Sequence, residues 1–189
     1  VSRVRGLILR GVFTARQCEV DWLYKQGASA LFPESWEKFL TQIPLAERDD
    51  LVTAYHRRLT GADLSARADA ARAWCAWESE LLTLRPRWRR TGPASQGEIA
   101  LARIEAHYFV HGSFMGEGDL LANTSLIAHL PCVIVQGRYD VVTPARTAYA
   151  LKQALPKAHL RIVPDAGHAT SEPGVLAALI MASDEMRAI

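Results

Sequence analysis

Asp140 and His168 stand 28 positions apart, and each closely follows a short apolar run. The first run, Cys132 to Val135, is rich in β-branched residues, lacks polar alternation and is stopped by Gly137. It predicts a strand buried on both faces. Thr143-Pro144 then opens a helix to about Leu155. The second run, Leu160 to Val163, leads into Asp165-Ala166-Gly167-His168, and Pro173 to Met186 reads as another helix. This strand-helix-strand-helix order implies parallel strands joined by right-handed crossovers. In such sheets, ligands and catalytic groups gather just beyond the carboxyl ends of the strands. Both residues fall there. An aspartate that accepts a hydrogen bond from a histidine fixes its tautomer and stabilises the imidazolium, as the Asp-His half of a Ser-His-Asp triad requires. Taken singly, Asp140 also suits a helix cap and His168 a polar loop. The ordered pattern of strand-Gly-x-x-Asp-x-Val-x-Pro, then strand-x-x-x-Gly-His, favours the catalytic pair.

The elements that must position this pair divide unevenly along the chain. Val4 to Leu9 is a third apolar run, ending at Arg10-Gly11 and followed by Val12-Phe13, so it predicts another parallel strand whose end faces the site. Three parallel strands make a poor independent core, because such sheets are normally covered on both faces. The start of the chain therefore looks cut. From Thr14 to about Asn123 helical periodicity replaces strands, with helices expected over 17–26, 33–42, 44–59, 65–82 and 97–110. The expected fold class is α/β: three parallel strands over 1–13 and 126–189, with an α-helical cap inserted at 14–125. The basic linker from Arg85 to Pro93, broken by two prolines, reads as a solvated loop.

Two of the predicted helices carry acids in unexpected places. Trp74, Trp77 and Leu81 form one apolar stripe, with Glu78 four residues on from Trp74. Leu101, Ile104 and Tyr108 form the other, with Glu105 between Leu101 and Phe109. A carboxylate on an apolar face is costly unless paired. One reading pairs each glutamate with an arginine such as Arg72 or Arg103. The other has them await a cation, such as a ligand ammonium.

Composition narrows the field. The 189 residues are 49% apolar, enough for one core with a sub-domain. A formal charge of +2, with scattered basic residues, gives no reason to expect nucleic acid. No apolar run approaches a membrane span. Three widely separated cysteines, Cys18, Cys75 and Cys132, show no metal spacing and suit a reducing, cytoplasmic compartment with buried thiols. No metal or cofactor is called for.

Several stretches, in order, resemble one family. They are Leu9-Arg10-Gly11-Val12-Phe13, Tyr24-Lys25-Gln26-Gly27-Ala28, Phe32-Pro33, Trp74-Cys75-Ala76-Trp77-Glu78, Ala102 to Phe109, Gln136-Gly137-Arg138-Tyr139-Asp140 and Gly167-His168. Together they are similar to the prolyl aminopeptidases (proline iminopeptidases), which have the α/β-hydrolase fold. The resemblance implies a metal-free serine hydrolase that releases N-terminal proline from peptides. It implies Asp140 as triad acid and His168 as general base. Glu78 and Glu105 would hold the charged imino nitrogen, Phe13 and Phe109 would wall the proline ring, and Arg10 would help shape the site. Leu23 stands where the family usually has an aromatic, which implies a looser pocket.

The triad order of this fold, Ser then Asp then His, demands a nucleophile upstream on a Gly-x-Ser-x-Gly turn. None occurs among the ten serines; Ser113, in His-Gly-Ser-Phe-Met-Gly, has the wrong spacing and no strand before it. The family's His-Gly-Gly-Pro-Gly and Gly-Gly-Ser-Trp-Gly segments match nothing here. The expectation is the cap and C-terminal part of such an enzyme, inactive by itself, with a peptide bearing a free N-terminal proline as its partner. Two alternatives stay open: a truncated non-catalytic protein that folds by self-association at an exposed sheet edge, and a different α/β-hydrolase such as an esterase or epoxide hydrolase.

Overall fold

A computed structural model of the chain describes residues 3–85 and 92–187. Most of the expected basic linker lies outside the described residues. The elements run, in chain order, β1 (Leu7–Arg10), α1 (Gln17–Tyr24), α2 (Ala28–Leu31), α3 (Pro33–Leu40), α4 (Leu51–Thr60), α5 (Leu64–Leu81) and α6 (Gln96–Val110). They continue with α7 (Asp119–Ala122), β2 (Cys132–Gly137), α8 (Ala145–Ala154), β3 (His159–Val163) and α9 (Pro173–Met186). The chain divides into two compact units.

The first unit comprises the described residues of Val1–Thr14, Leu81–Arg85 and Gly118–Ile189. Its three strands are parallel, in the order β1-β2-β3, with Leu7 opposite Cys132 and Val133 opposite His159. Central β2 is buried at every position, which is why its residues are apolar on both faces. Alternate side chains divide between two cores. Cys132 and Ile134 pack with Val12 and with Ala148, Leu151 and Leu155 of the α8 side. Val133 and Val135 pack with Val163, Ala166, Val175 and Ala182 on the α9 side. This is the expected α/β architecture, although β1 begins at Leu7 rather than Val4.

The second unit comprises the described residues of Ala15–Glu80 and Pro86–Glu117 and is helical. Its centre is aromatic: Tyr24, Phe39, Tyr55, Trp74 and Trp77 are all nearly inaccessible. Phe39 stacks on Tyr55 at 4.3 Å and Tyr24 on Trp74 at 4.5 Å. The single helix expected over 44–59 is divided into a 3-10 turn, Leu45–Asp50, and α4. Asp50 makes the break, because its side chain accepts from Thr53 N and caps a new helix.

The face of α6 also differs from expectation. Leu101, Ile104 and Tyr108 are 47%, 59% and 47% exposed, while Ala102 and Ala106 are fully buried. Here α6 packs against α4. The close-packed side is built from alanines, so the bulky apolar residues are turned outward.

Gly137 ends β2 where a side chain has no room. A Cβ there would meet the Gly167 and Ala166 carbonyl oxygens at 2.0 and 2.6 Å. Because both obstacles are backbone, Gly137→Ala is expected to cost about 1–3 kcal/mol, the range for overpacking. Urea unfolding checks this; an unchanged midpoint would mean that the approach of the two loops is not tight.

Candidate active site

In the first unit, Asp140 and His168 occupy the loops that follow β2 and β3, at the carboxyl end of the sheet. The Asp140 side chain is 1% exposed and that of His168 15%. His168 Nδ1 lies 2.9 Å from Asp140 Oδ2 and 3.2 Å from Oδ1. An ionised carboxylate only accepts, so Nδ1 carries the hydrogen, which in a neutral imidazole leaves the lone pair on Nε2. That tautomer suits a general base.

The acid is fixed by more than the histidine. Gln136 Nε2 donates to Asp140 Oδ2 at 2.9 Å, and Thr143 contributes its backbone N at 2.8 Å and its Oγ1 at 3.0 Å. Asp140 does not cap α8, whose N-cap is Pro144 without a side-chain bond; its bond from Thr143 N closes the turn before that helix. Gln136 is fully buried; its other amide hydrogen bonds Thr143 O at 2.9 Å.

The histidine loop is held from two sides. Arg10 Nη1 donates to His168 O at 2.5 Å. Gly11, at φ 55°, lets the backbone pass so close that a Cβ would lie 2.7 Å from His168 Cε1. On the other side Ala169 N donates to Leu82 O, and Leu84 N donates to Glu172 Oε1, both at 2.8 Å. Phe13 follows in the same loop after β1 and is partly buried. Gln136, Thr143 and the stretch over 82–84 were invisible as site residues in the sequence. Only the position of Gln136 at a strand end and of Thr143 before a proline offered any signal.

In the second unit, α5 presents Trp74 and Trp77 to the interior as expected, each at most 1% exposed. Glu78 lies beside them, partly buried, and the charge of Glu105 of α6 acts on its carboxyl. Tyr24 Oη donates to Glu78 Oε1, and Trp74 Nε1 donates to Glu105 Oε2 at 3.0 Å. The ring of Phe109 lies 5.6 Å from Tyr24 and 6.3 Å from Trp74. Arg72 is occupied by Asp69 at 2.8 Å, and among the described residues no ion pair joins either glutamate to a cation. The arginine pairing considered above is therefore not made. Burial first, and then the charge of Glu105, push the Glu78 carboxyl up to about 8. Tyr24 and Trp74, which contact the glutamates directly, carry no distinguishing signal in the sequence beyond their aromaticity.

The fold and these residues define the class. The first unit is a partial α/β-hydrolase core of three parallel strands, and the second is the helical cap inserted in it. Residues 118–179 match a family model described as TAP-like protein, of the α/β-hydrolase type. Over 97% of its length the chain is 49% identical to a probable proline iminopeptidase of Leptolyngbya boryana, of which it covers 58%. It is 46% identical, over its whole length, to a proline iminopeptidase of Arabidopsis thaliana, covering half of it. It is 41% identical to the proline iminopeptidase of a Neisseria meningitidis serogroup A strain, covering 59% of that protein. The chain is thus a homologue of the proline iminopeptidases, spanning between half and three-fifths of the curated relatives it matches.

The raised Glu78 carboxyl gives a pH signature. A carboxyl near 8 in the folded protein and near 4.5 when unfolded stabilises the fold fully below about pH 4.5. That contribution is lost as pH rises through about 8, since the unfolded chain sheds the proton first. Melting temperature is therefore expected to fall across this window, and Glu78→Gln to flatten the slope. A wild-type slope that survives Glu78→Gln would place the responsible group elsewhere.

Proposed function

We propose that this chain is the cap and C-terminal part of a serine aminopeptidase that releases N-terminal proline from peptides. The observation that carries it is Glu78 and Glu105, two partly buried glutamates bonded to Tyr24 and Trp74 and in no ion pair among the described residues, on a chain homologous to proline iminopeptidases. A poorly hydrated carboxylate pair attracts a cation far more strongly than water-exposed acids do. The charged imino nitrogen of an N-terminal proline is such a cation, and a substrate blocked at that nitrogen would lack it.

In this reading Glu78 and Glu105 bind the imino nitrogen, and Phe109 and Phe13 offer apolar walls to the flat ring. Asp140 orients His168, which takes the proton of a serine as that serine attacks the prolyl carbonyl. An acyl-enzyme forms and water releases free proline. Arg10 acts through the carbonyl of His168, keeping the imidazole in place. The serine and the oxyanion donors are the two largest catalytic contributions, and residues 1–189 contain no Gly-x-Ser-x-Gly segment to supply them. An esterase or epoxide hydrolase is disfavoured, because neutral substrates have no use for the paired acids. Free thiols at Cys18, Cys75 and Cys132 suit a cytoplasmic setting.

Residues 1–189 by themselves are expected to hydrolyse no proline arylamide. Joined behind the part of the Leptolyngbya boryana relative that they do not cover, they should turn it over. In that chimaera His168→Ala should lower kcat by at least about 10³-fold. Glu78→Gln with Glu105→Gln should raise KM for proline substrates. Unchanged activity on N-terminal proline in the double variant would remove the aminopeptidase assignment.

A further inference from the structure

Gln136 stands where the packing of β2 calls for an apolar residue. It alternates with Cys132 and Ile134, whose side chains fill the core on the α8 side, and it is itself fully buried. A buried amide is costly unless both of its ends are bonded. Here only one end is. Nε2 donates one hydrogen to Asp140 Oδ2 and the other to Thr143 O, both at 2.9 Å, while Oε1 has no partner. We infer that Gln136 is a positioning residue for the Asp140–His168 pair. Its amide locks the carboxylate toward the imidazole and keeps the proton that His168 takes up from passing to the acid. This deepens the function proposed above and rests on it for the reaction that the pair serves.

The bonds around Asp140 form a closed set. A carboxylate offers about four lone-pair sites. Four donors reach this one: Gln136 Nε2, Thr143 N, Thr143 Oγ1 and His168 Nδ1. A proton moving onto Asp140 would have to displace one of them. Thr143 closes the ring, since its carbonyl takes the second Gln136 hydrogen while its own N–H and hydroxyl donate to the acid. Its Oγ1 also lies 3.2 Å from His168 Nδ1. The single hydroxyl hydrogen is already given to Asp140, so toward the imidazole Oγ1 can only accept. Both polar neighbours of Nδ1 therefore require the hydrogen to be on Nδ1.

The neutrality of the donors matters. Gln136 and Thr143 hold the carboxylate without cancelling its charge, and among the described residues only His168 forms an ion pair with Asp140. An imidazolium formed as His168 takes a proton therefore faces a whole negative charge at 2.9 Å. A lysine or arginine at 136 would bind the acid as well but would oppose that imidazolium. An apolar residue would leave Asp140 and the Thr143 carbonyl each one donor short in a buried place. Unmade bonds cost more on a charged group than on a neutral one. The orphan is accordingly on the neutral amide and not on the carboxylate.

Nitrogen NMR of the 189-residue chain tests the lock without substrate or variant. His168 should show one tautomer, with hydrogen on Nδ1, while its imidazole is neutral. Gln136→Met, which keeps the length and drops the donor, should bring in a detectable share of the other tautomer. Two tautomers in the unsubstituted chain, or one in Gln136→Met, overturn the inference. Gln136→Glu in the chimaera gives a second readout, because a carboxyl there can donate to Asp140 only while protonated. Relative to the unsubstituted chimaera, its kcat should fall by about 10- to 100-fold as pH rises through the titration of the new carboxyl, with KM unchanged. Should Gln136→Met not fold, this variant decides. A ratio that does not change with pH overturns the inference, since a merely space-filling role would give that result. A chimaera without activity on proline arylamides, beside the expected tautomers, removes the proposed function and leaves Gln136 as the group that fixes the pair.

Discussion

Glu78 and Glu105, both partly buried, take hydrogen bonds from the stacked Tyr24 and Trp74 of the helical unit, and everything proposed for this chain depends on how these two acids are tolerated there. Two full negative charges about 4 Å apart would repel by roughly 4 kcal/mol even at an effective dielectric constant near 20. The folded protein has no reason to hold them together for stability, since apolar residues of similar volume would do as well or better. Their neighbours make matters worse for a pair of anions: Tyr24 stacked on Trp74, with Phe39 and Phe109 near both. A proton or a ligand cation would relieve such repulsion. A binding site is the economical explanation for keeping it.

The first unit shows the opposite design. Asp140 is surrounded by donors from Gln136, Thr143 and His168, so its charge is fully used. The arrangement rests on rigid parts: a central strand buried at every residue and loops brought close by Gly137 and Gly11. One cost is visible, in the buried Gln136 Oε1 that has no hydrogen-bond partner. Turning the amide over would satisfy nothing, because that oxygen would then face the carboxylate. Gln136 is thus committed to a single orientation by Asp140, and in turn commits Asp140.

Much of this was legible in the sequence where burial and chain geometry act on the same residues. Cys132–Gly137 and Pro173–Met186 are read from composition because a strand with two covered faces and a helix opened by proline leave few alternatives. The stripe on α6 was misread for a physical reason. Periodicity counts large apolar residues, but α6 is packed against α4 through Ala102 and Ala106, which carry little weight in such a count. Glu105 is still partly buried, where its carboxylate accepts from the Trp74 indole, although Leu101 and Ile104 are exposed. Pairings across long separations, such as Tyr24 with Glu78 or Arg10 with the carbonyl of His168, leave no periodic trace. Only the folded chain reveals them.

The central claim is that charge, and not ring shape, selects the ligand. The most direct measurement compares prolinamide with tetrahydrofuran-2-carboxamide, in which a ring oxygen replaces the charged nitrogen at nearly the same shape. Binding to the chimaera would be followed by competitive inhibition of proline arylamide hydrolysis. The account predicts that the oxygen analogue is weaker by at least about 100-fold, the loss expected when a buried polar site is left without its partner. Equal inhibition by the two compounds would contradict it.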